Sequence, residues 1–251
     1  MSTPAVRLVI LYAVGVYALF LGVLGYTVGF LGGFGVPKNI DQGPGAAWPA
    51  AVAIDAALLA LFAVQHTVMA RPWFKRHWVP APAERATFVL CANLTLILLF
   101  WLWRPLRGTV WRVPEPGAGA LIALYAAGWV VAIGATFAIS HADLLGLRQA
   151  FLHARYRPPG FTRRGMYRVV RHPLMTGFLI VFWAAPTMSA GRLLFAAAAT
   201  GYIMVGIRFE QRDLLRELGP AYRRYQAEVP ALVPSWSGPG WTWRRRQPGG
   251  G

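Results

Sequence analysis

Cysteine is almost missing: Cys91 is the single one in 251 residues, and it lies in an apolar run. An intrachain disulfide and a cysteine-built metal centre are therefore excluded, and no metal site is expected. Acidic residues are also scarce, 9 Asp and Glu against 25 Lys and Arg. Charged residues of both signs make up 14% of the chain, where water-soluble domains carry about a quarter. So little charge cannot cover a water-facing surface. A net charge of +16 would suit nucleic acid, but this chain also has long apolar runs, which basic nucleic-acid domains lack. Basic loops beside anionic lipid headgroups account for the excess, so membrane lipids rather than nucleic acid are the expected partner. A glycine-rich nucleotide loop is absent too. LGGFG at Leu31–Gly35 leads into Pro37, Asp41, Gly43, Pro44 and Gly45, a loop where such a motif requires a helix.

What the chain has in quantity is apolar length, with 56% hydrophobic residues. Crossing the hydrocarbon takes about 20 mostly apolar residues in a helix. Ala5–Phe34, Trp48–Ala70, Ala83–Trp103 and Ala118–Ser140 each meet that length. The first is too long, and lacks the small-residue cleavage site, for a removable signal. Its Gly25, Gly29 and Gly33 recur every fourth residue, the spacing that allows close approach of membrane helices. After an arginine-rich stretch, His141–His172, comes Leu174–Ala185, only twelve apolar residues and about 18 Å as a helix. Pro186 ends it, and a long helix from about Ser189 to Leu218 returns. The expected fold is an all-α polytopic transmembrane bundle of five or six helices with a C-terminal helical hairpin. Residues 1–140 would be the membrane frame, 141–234 the functional core, and 235–251 a basic, Trp-rich tail at the interface.

The loops assign the sides. Val36–Ala47 has one Lys and one Asp, whereas Arg71–Arg85 has four basic residues and His141–His172 has seven Arg with one acid. Basic loops stay in the cytoplasm. Arg104–Gly117, with three Arg, is the exception and falls outside. Both termini are inside only if the hairpin makes two crossings.

Polar residues within the spans are costly and need a reason. Asp55 and His66 lie eleven apart on one helical face, either lining a polar cavity or bonding to neighbouring helices. At Ser140–Gln149, His141 and Asp143 offer a general base with an orienting carboxylate, although Asp143 would also serve as a helix cap. In RGMYRVVRHPLMTG, Arg164, Arg168 and Arg171 recur at helical spacing, and Pro173 suits the first turn of a helix. That helix start beside Arg171 is a good site for a carboxylate or phosphate. Glu210, at the end of the last helix, is the only acid in its run of about twenty apolar residues, available for a ligand or for a salt bridge to Arg171 or Arg208.

Taken in order, Arg171-His172-Pro173, Gly177, Glu210, Gly219, Tyr222, Tyr225 and Pro230 resemble the isoprenylcysteine carboxyl methyltransferase superfamily. DLLGLRQ, RHPLMTGF, FWAAPTMS and GIRFEQRDLL look most like its methanethiol S-methyltransferases, and the LFAVQHTVMARPWFKR stretch extends that likeness upstream. Met175 stands where many superfamily members have Tyr, and Gln211 where many have a second Glu. The resemblance implies S-adenosylmethionine held on the cytoplasmic side by Arg171, His172, Pro173, Gly177, Glu210, Tyr222 and Tyr225. It also implies a small thiol acceptor, methanethiol, converted to dimethyl sulfide at a bacterial inner membrane. A thiol must become a thiolate to attack well, so a base or cation is needed. His141 with Asp143 leads, and Arg148 and His66 follow. The alternatives are a lipid or prenylcysteine acceptor, and a haem- or quinone-linked protein using His66, His141 and His172.

Overall fold

The computed structural model describes residues 3–71, 73–74, 80–158 and 160–234. The expected 235–251 tail therefore lies outside the described residues. Three long helices open the chain: α1 (Thr3–Gly32), α2 (Trp48–Met69) and α3 (Glu84–Leu102). A strand β1 (Thr109–Arg112) and helix α4 (Gly117–Ile139) follow. Two short helices, α5 (His141–Leu144) and α6 (Leu147–Leu152), lead through loops and 3₁₀ turns to α7 (Pro173–Trp183). Strand β2 (Thr187–Ser189), the long α8 (Ala190–Leu218) and α9 (Pro220–Glu228) complete it. The protein is an all-α polytopic bundle as expected, with five helices long and apolar enough to cross a membrane and the shorter α7 beside them. Leu11, Val64, Trp101 and Val130 are exposed on those helices, apolar faces suited to lipid.

Six helices run back and forth between two ends. At one end Trp103 donates its indole N–H to Ile40, Tyr26 bonds the Lys38 carbonyl, and Arg192 pairs with Asp41 at 2.6 Å. There β1 pairs antiparallel with β2. At the other end Tyr12 meets Thr87, Arg85 meets Asp143, and Arg71 lies over Phe209. The first and last of the described residues therefore lie on one side.

The short α7 makes its crossing with help. Its 11 residues rise about 16 Å, and the chain goes on through a tight turn at Ala184 into the extended strand Thr187–Ser189, about 3.3 Å per residue. That non-helical segment is tolerated because protein satisfies its backbone: Val113 bonds Pro186 O at 2.8 Å and Trp111 bonds Ala185 O at 3.1 Å. The two strands were not anticipated, since each is at most four residues long.

Helix packing is tightest between α4 and α7, where Gly177 faces Gly128 and Ala132. A Cβ at Gly177 would lie 2.5 Å from the Ala132 nitrogen. The glycine repeat of α1 behaves differently from expectation. Gly29 lies against Val36 and Phe34 of its own following loop, and a Cβ at Gly25 would meet nothing within 4 Å. The chain folds back on itself there instead of bringing two helices together.

Candidate functional site

The start of α7, the end of α8 and α9 meet at the end of the bundle where the first and last described residues lie. Pro173 occupies the first turn of α7 and is fully buried. Residue 172 is held out of the helix, as expected before proline, and the His172 side chain is buried between helices. Its Nδ1 lies 3.3 Å from Glu210 Oε2, and its Nε2 lies 3.1 Å from Gln211 Nε2. Gln211 accepts from Gln226 at 3.4 Å. The Glu210 side chain stays 51% exposed, so its carboxylate also faces outward from this network. Glu210 thus pairs with a histidine, not with Arg171 or Arg208.

Arg171 does two things. Its guanidinium donates to the Gln226 and Val229 carbonyls, and its backbone N–H donates to Pro230 O at 2.8 Å. His172 N–H bonds Ala231 O at 3.0 Å, and Thr176 Oγ1 bonds Leu232 O at 2.8 Å. Residues 229–232 therefore lie against the start of α7, accepting from the backbone N–H groups of the two residues before Pro173 and from the Thr176 hydroxyl. Arg164, Arg168 and Arg171 share no helical face. Gly165–Arg168 is a single 3₁₀ turn, Gly165 has a positive φ of 56°, and Pro173 disfavours helix just before it.

Tyr222 and Tyr225 are almost wholly buried, packed with Val229, Leu214, Leu215 and Leu218. The Tyr225 hydroxyl donates to Tyr167 O at 2.6 Å, and burial with the neighbouring Tyr222 pushes its pKa up to about 12. Arg163 lies over the Tyr225 ring, 4.8 Å from its centre. Tyr222 is raised as well, chiefly by burial, with the Arg171 charge opposing. Its hydroxyl and the Nε of Arg171 are both buried without a hydrogen-bond partner among the described residues. Gly177 is a packing glycine between α4 and α7, one turn inside the helix.

The expected His141–Asp143 pair does not form. Asp143 is fully buried and accepts from the Arg85 guanidinium at 2.7 Å, so it neither orients the imidazole nor caps a helix. Arg85 thereby ties α3 to α5, and its backbone N–H reaches Gln149 in α6. His141 instead bonds Thr136 through Nδ1, 2.7 Å, and Tyr17 through Nε2, 3.2 Å. Its ring stacks on Phe137 with centres 4.3 Å apart. Burial among these rings lowers its pKa, so it is neutral at pH 7. Arg148 is partly buried and adds its charge near Tyr156.

His66 lies apart from Asp55. Its ring is enclosed by Phe62, Phe88 and Tyr202, with Nδ1 buried and unpartnered, while Asp55 accepts from the Arg104 N–H at the far end of α2. His66, His141 and His172 each have separate partners, an arrangement unlike facing axial ligands. Among the described residues no three His, Cys, Asp or Glu gather as metal ligands.

Comparison with known proteins adds what geometry alone does not. The chain is 50% identical to the methanethiol S-methyltransferase of Pseudomonas sp. over 232 residues, 90% of this chain and 89% of the relative. It is 47% identical to the methanethiol S-methyltransferase of Mycobacterium tuberculosis over 234 residues, 90% of this chain and 96% of the relative. The chain belongs to the methanethiol S-methyltransferase family. A more distant relative is Nurim of Mus musculus, 28% identical over 66% of this chain. No family model and no solved structure matches. In this chain the His172–Glu210–Gln211, His141–Tyr17–Thr136 and Arg85–Asp143–Gln149 networks are polar constellations at this end of the bundle. Sequence reasoning missed Arg85, Tyr17, Thr136 and Gln226. Gln211 had shown itself only as a departure from the superfamily pattern.

Proposed function

We propose that this protein transfers a methyl group from S-adenosylmethionine to methanethiol, forming dimethyl sulfide. The observation that carries the reading is identity of 42–50% with methanethiol S-methyltransferases along most of the chain. The site is set at the inner membrane and faces the cytoplasm. Arg71, Arg85, Arg163 and Arg171 gather at the end that holds it, as the positive-inside pattern requires.

The residues fit the cofactor. A guanidinium, a half-exposed carboxylate and two amides complement a ligand that carries a carboxylate, an ammonium and ribose hydroxyls. Arg171, His172, Glu210 and Gln211 would hold it. Pro173 and Gly177 set the position of that helix start, and Tyr222 and Tyr225 anchor α9 behind it. When bound, the cofactor supplies an electrophilic methyl group on a sulfonium. The protein's own work is to align acceptor and methyl and to take the thiol proton. Neutral His141 is the base. Residues 141–234 are the methyltransferase core and residues 1–140 its membrane frame.

Purified protein incubated with methanethiol and S-adenosylmethionine should release dimethyl sulfide into the headspace. Turnover of a prenylcysteine analogue in place of methanethiol would overturn the assignment of the acceptor.

A further inference from the structure

The hydrogen bonds around His141 restrict where its ring protons can sit. The Thr136 hydroxyl has one hydrogen, and the Ile133 carbonyl, 2.6 Å away, is placed to take it. Toward His141 Nδ1, at 2.7 Å, Thr136 can then only accept, so Nδ1 carries the hydrogen. A neutral imidazole so fixed has its lone pair on Nε2, and Nε2 faces the Tyr17 hydroxyl at 3.2 Å. In that tautomer Tyr17 is the donor in the contact.

From this geometry we infer that Tyr17 is a proton relay for His141 and that Thr136 is the positioning residue that sets the tautomer. The inference rests on His141 being the base of the methyl transfer. The thiol S–H bond breaks and its proton passes to Tyr17 Oη, while the Tyr17 proton passes to His141 Nε2. The sulfur electron pair forms the new bond to the methyl carbon, and the bond from that carbon to the sulfonium breaks with its pair kept by the donor. The imidazolium then returns the proton to water.

The surroundings agree with this route. Tyr17 of α1 and Phe20 sit against one side of the imidazole, and Phe137 of α4 stacks on its face. Burial is the resolved influence on its proton affinity, and no charged side chain contributes. Asp143, two residues on, is committed to Arg85. Tyr17 is only partly buried, and the Phe137 beside His141 is exposed on the lipid-facing surface, a setting a small apolar thiol can enter from the membrane.

The test compares Tyr17→Phe, Thr136→Val, Thr136→Ser and His141→Ala, with turnover measured from pH 6 to pH 9 and cofactor affinity by calorimetry. Tyr17→Phe should lower kcat by about tenfold to a hundredfold, toward the lower end of general-base effects. KM and cofactor affinity should stay near wild type, and the deficit should shrink as pH rises. Thr136→Val should show the same pH-dependent loss, and Thr136→Ser should recover most of it. If His141→Ala shows the pH-dependent deficit while Tyr17→Phe turns over like wild type, the relay is wrong and the base assignment stands. If His141→Ala itself turns over normally, the base assignment fails and the relay with it. A Tyr17→Phe loss that is flat with pH, or confined to KM, also overturns the relay.

Discussion

His172 shows how much one buried ring can organise. It has Glu210 on one nitrogen and Gln211 on the other, while its own backbone N–H holds the 229–232 segment. Replacing it with alanine leaves the Gln211 amide without that partner and lets the half-exposed Glu210 carboxylate turn to water. His172→Ala and Glu210→Ala are expected to weaken S-adenosylmethionine binding at least tenfold while the protein still inserts and purifies. Calorimetric titration decides it, and unchanged affinity in both variants would remove the assigned site. His141 belongs to the same scale. Burial holds its pKa below the ordinary 6.5, so its neutral form is favoured in the fold. The sign follows: its contribution to stability is present above about pH 6.5 and is lost as pH falls through the lower folded-state value. Turnover should fall over the same acidic window, because the protonated ring cannot accept the thiol proton. His141→Ala should cost about 10²–10⁴ in rate at neutral pH, with a smaller deficit for a more acidic thiol. A deficit identical for two thiols of different acidity would count against a base.

At the scale of elements, the decisive contact is α4 against α7. The site is carried on the first turn of α7, so anything that pushes α7 away moves His172 from Glu210. Gly177 permits the approach, since a Cβ there would lie 2.5 Å from backbone nitrogen and 2.7 Å from the Gly128 carbonyl. Gly177→Ala is therefore expected to destabilise by about 1–3 kcal/mol, the usual range for overpacking. Thermal unfolding in detergent micelles should show a lowered Tm, and cofactor affinity should fall with it. An unchanged Tm would mean that the helices separate at little cost. Arg85, Tyr156 and the α5–α6 turn form a second unit around Asp143. That unit is held by the Arg85 pair, in which the carboxylate is 1% exposed and the guanidinium 28%.

Across the whole molecule the question is which end faces the cytosol. The end with the first and last described residues carries Arg71, Arg85, Arg163, Arg171 and the candidate site. In a Cys91→Ser background, cysteine at Ala81 should resist an impermeant thiol reagent added to intact cells. Cysteine at Gly45, in the exposed loop between α1 and α2, should label. The reverse pattern would invert the topology and put the cofactor site outside the cell.

Hydropathy made the helices legible. The ends of α2, α3 and α4 fall within two residues of the expected spans, because the thickness of hydrocarbon sets length and composition together. Arg171-His172-Pro173 and Glu210 were legible as a site because proline marks a helix start and an acid in an apolar run is expensive. Partners were a different matter. Nothing in one dimension places Asp143 on Arg85, 58 residues away, rather than on His141 two residues away. The same holds for Tyr17 on His141 across 124 residues, and for the segment after Val229 lying over α7. Local spacing tells which residues share a turn. Which of them meet is decided by how six helices pack and by where each buried hydrogen-bonding group finds its partner.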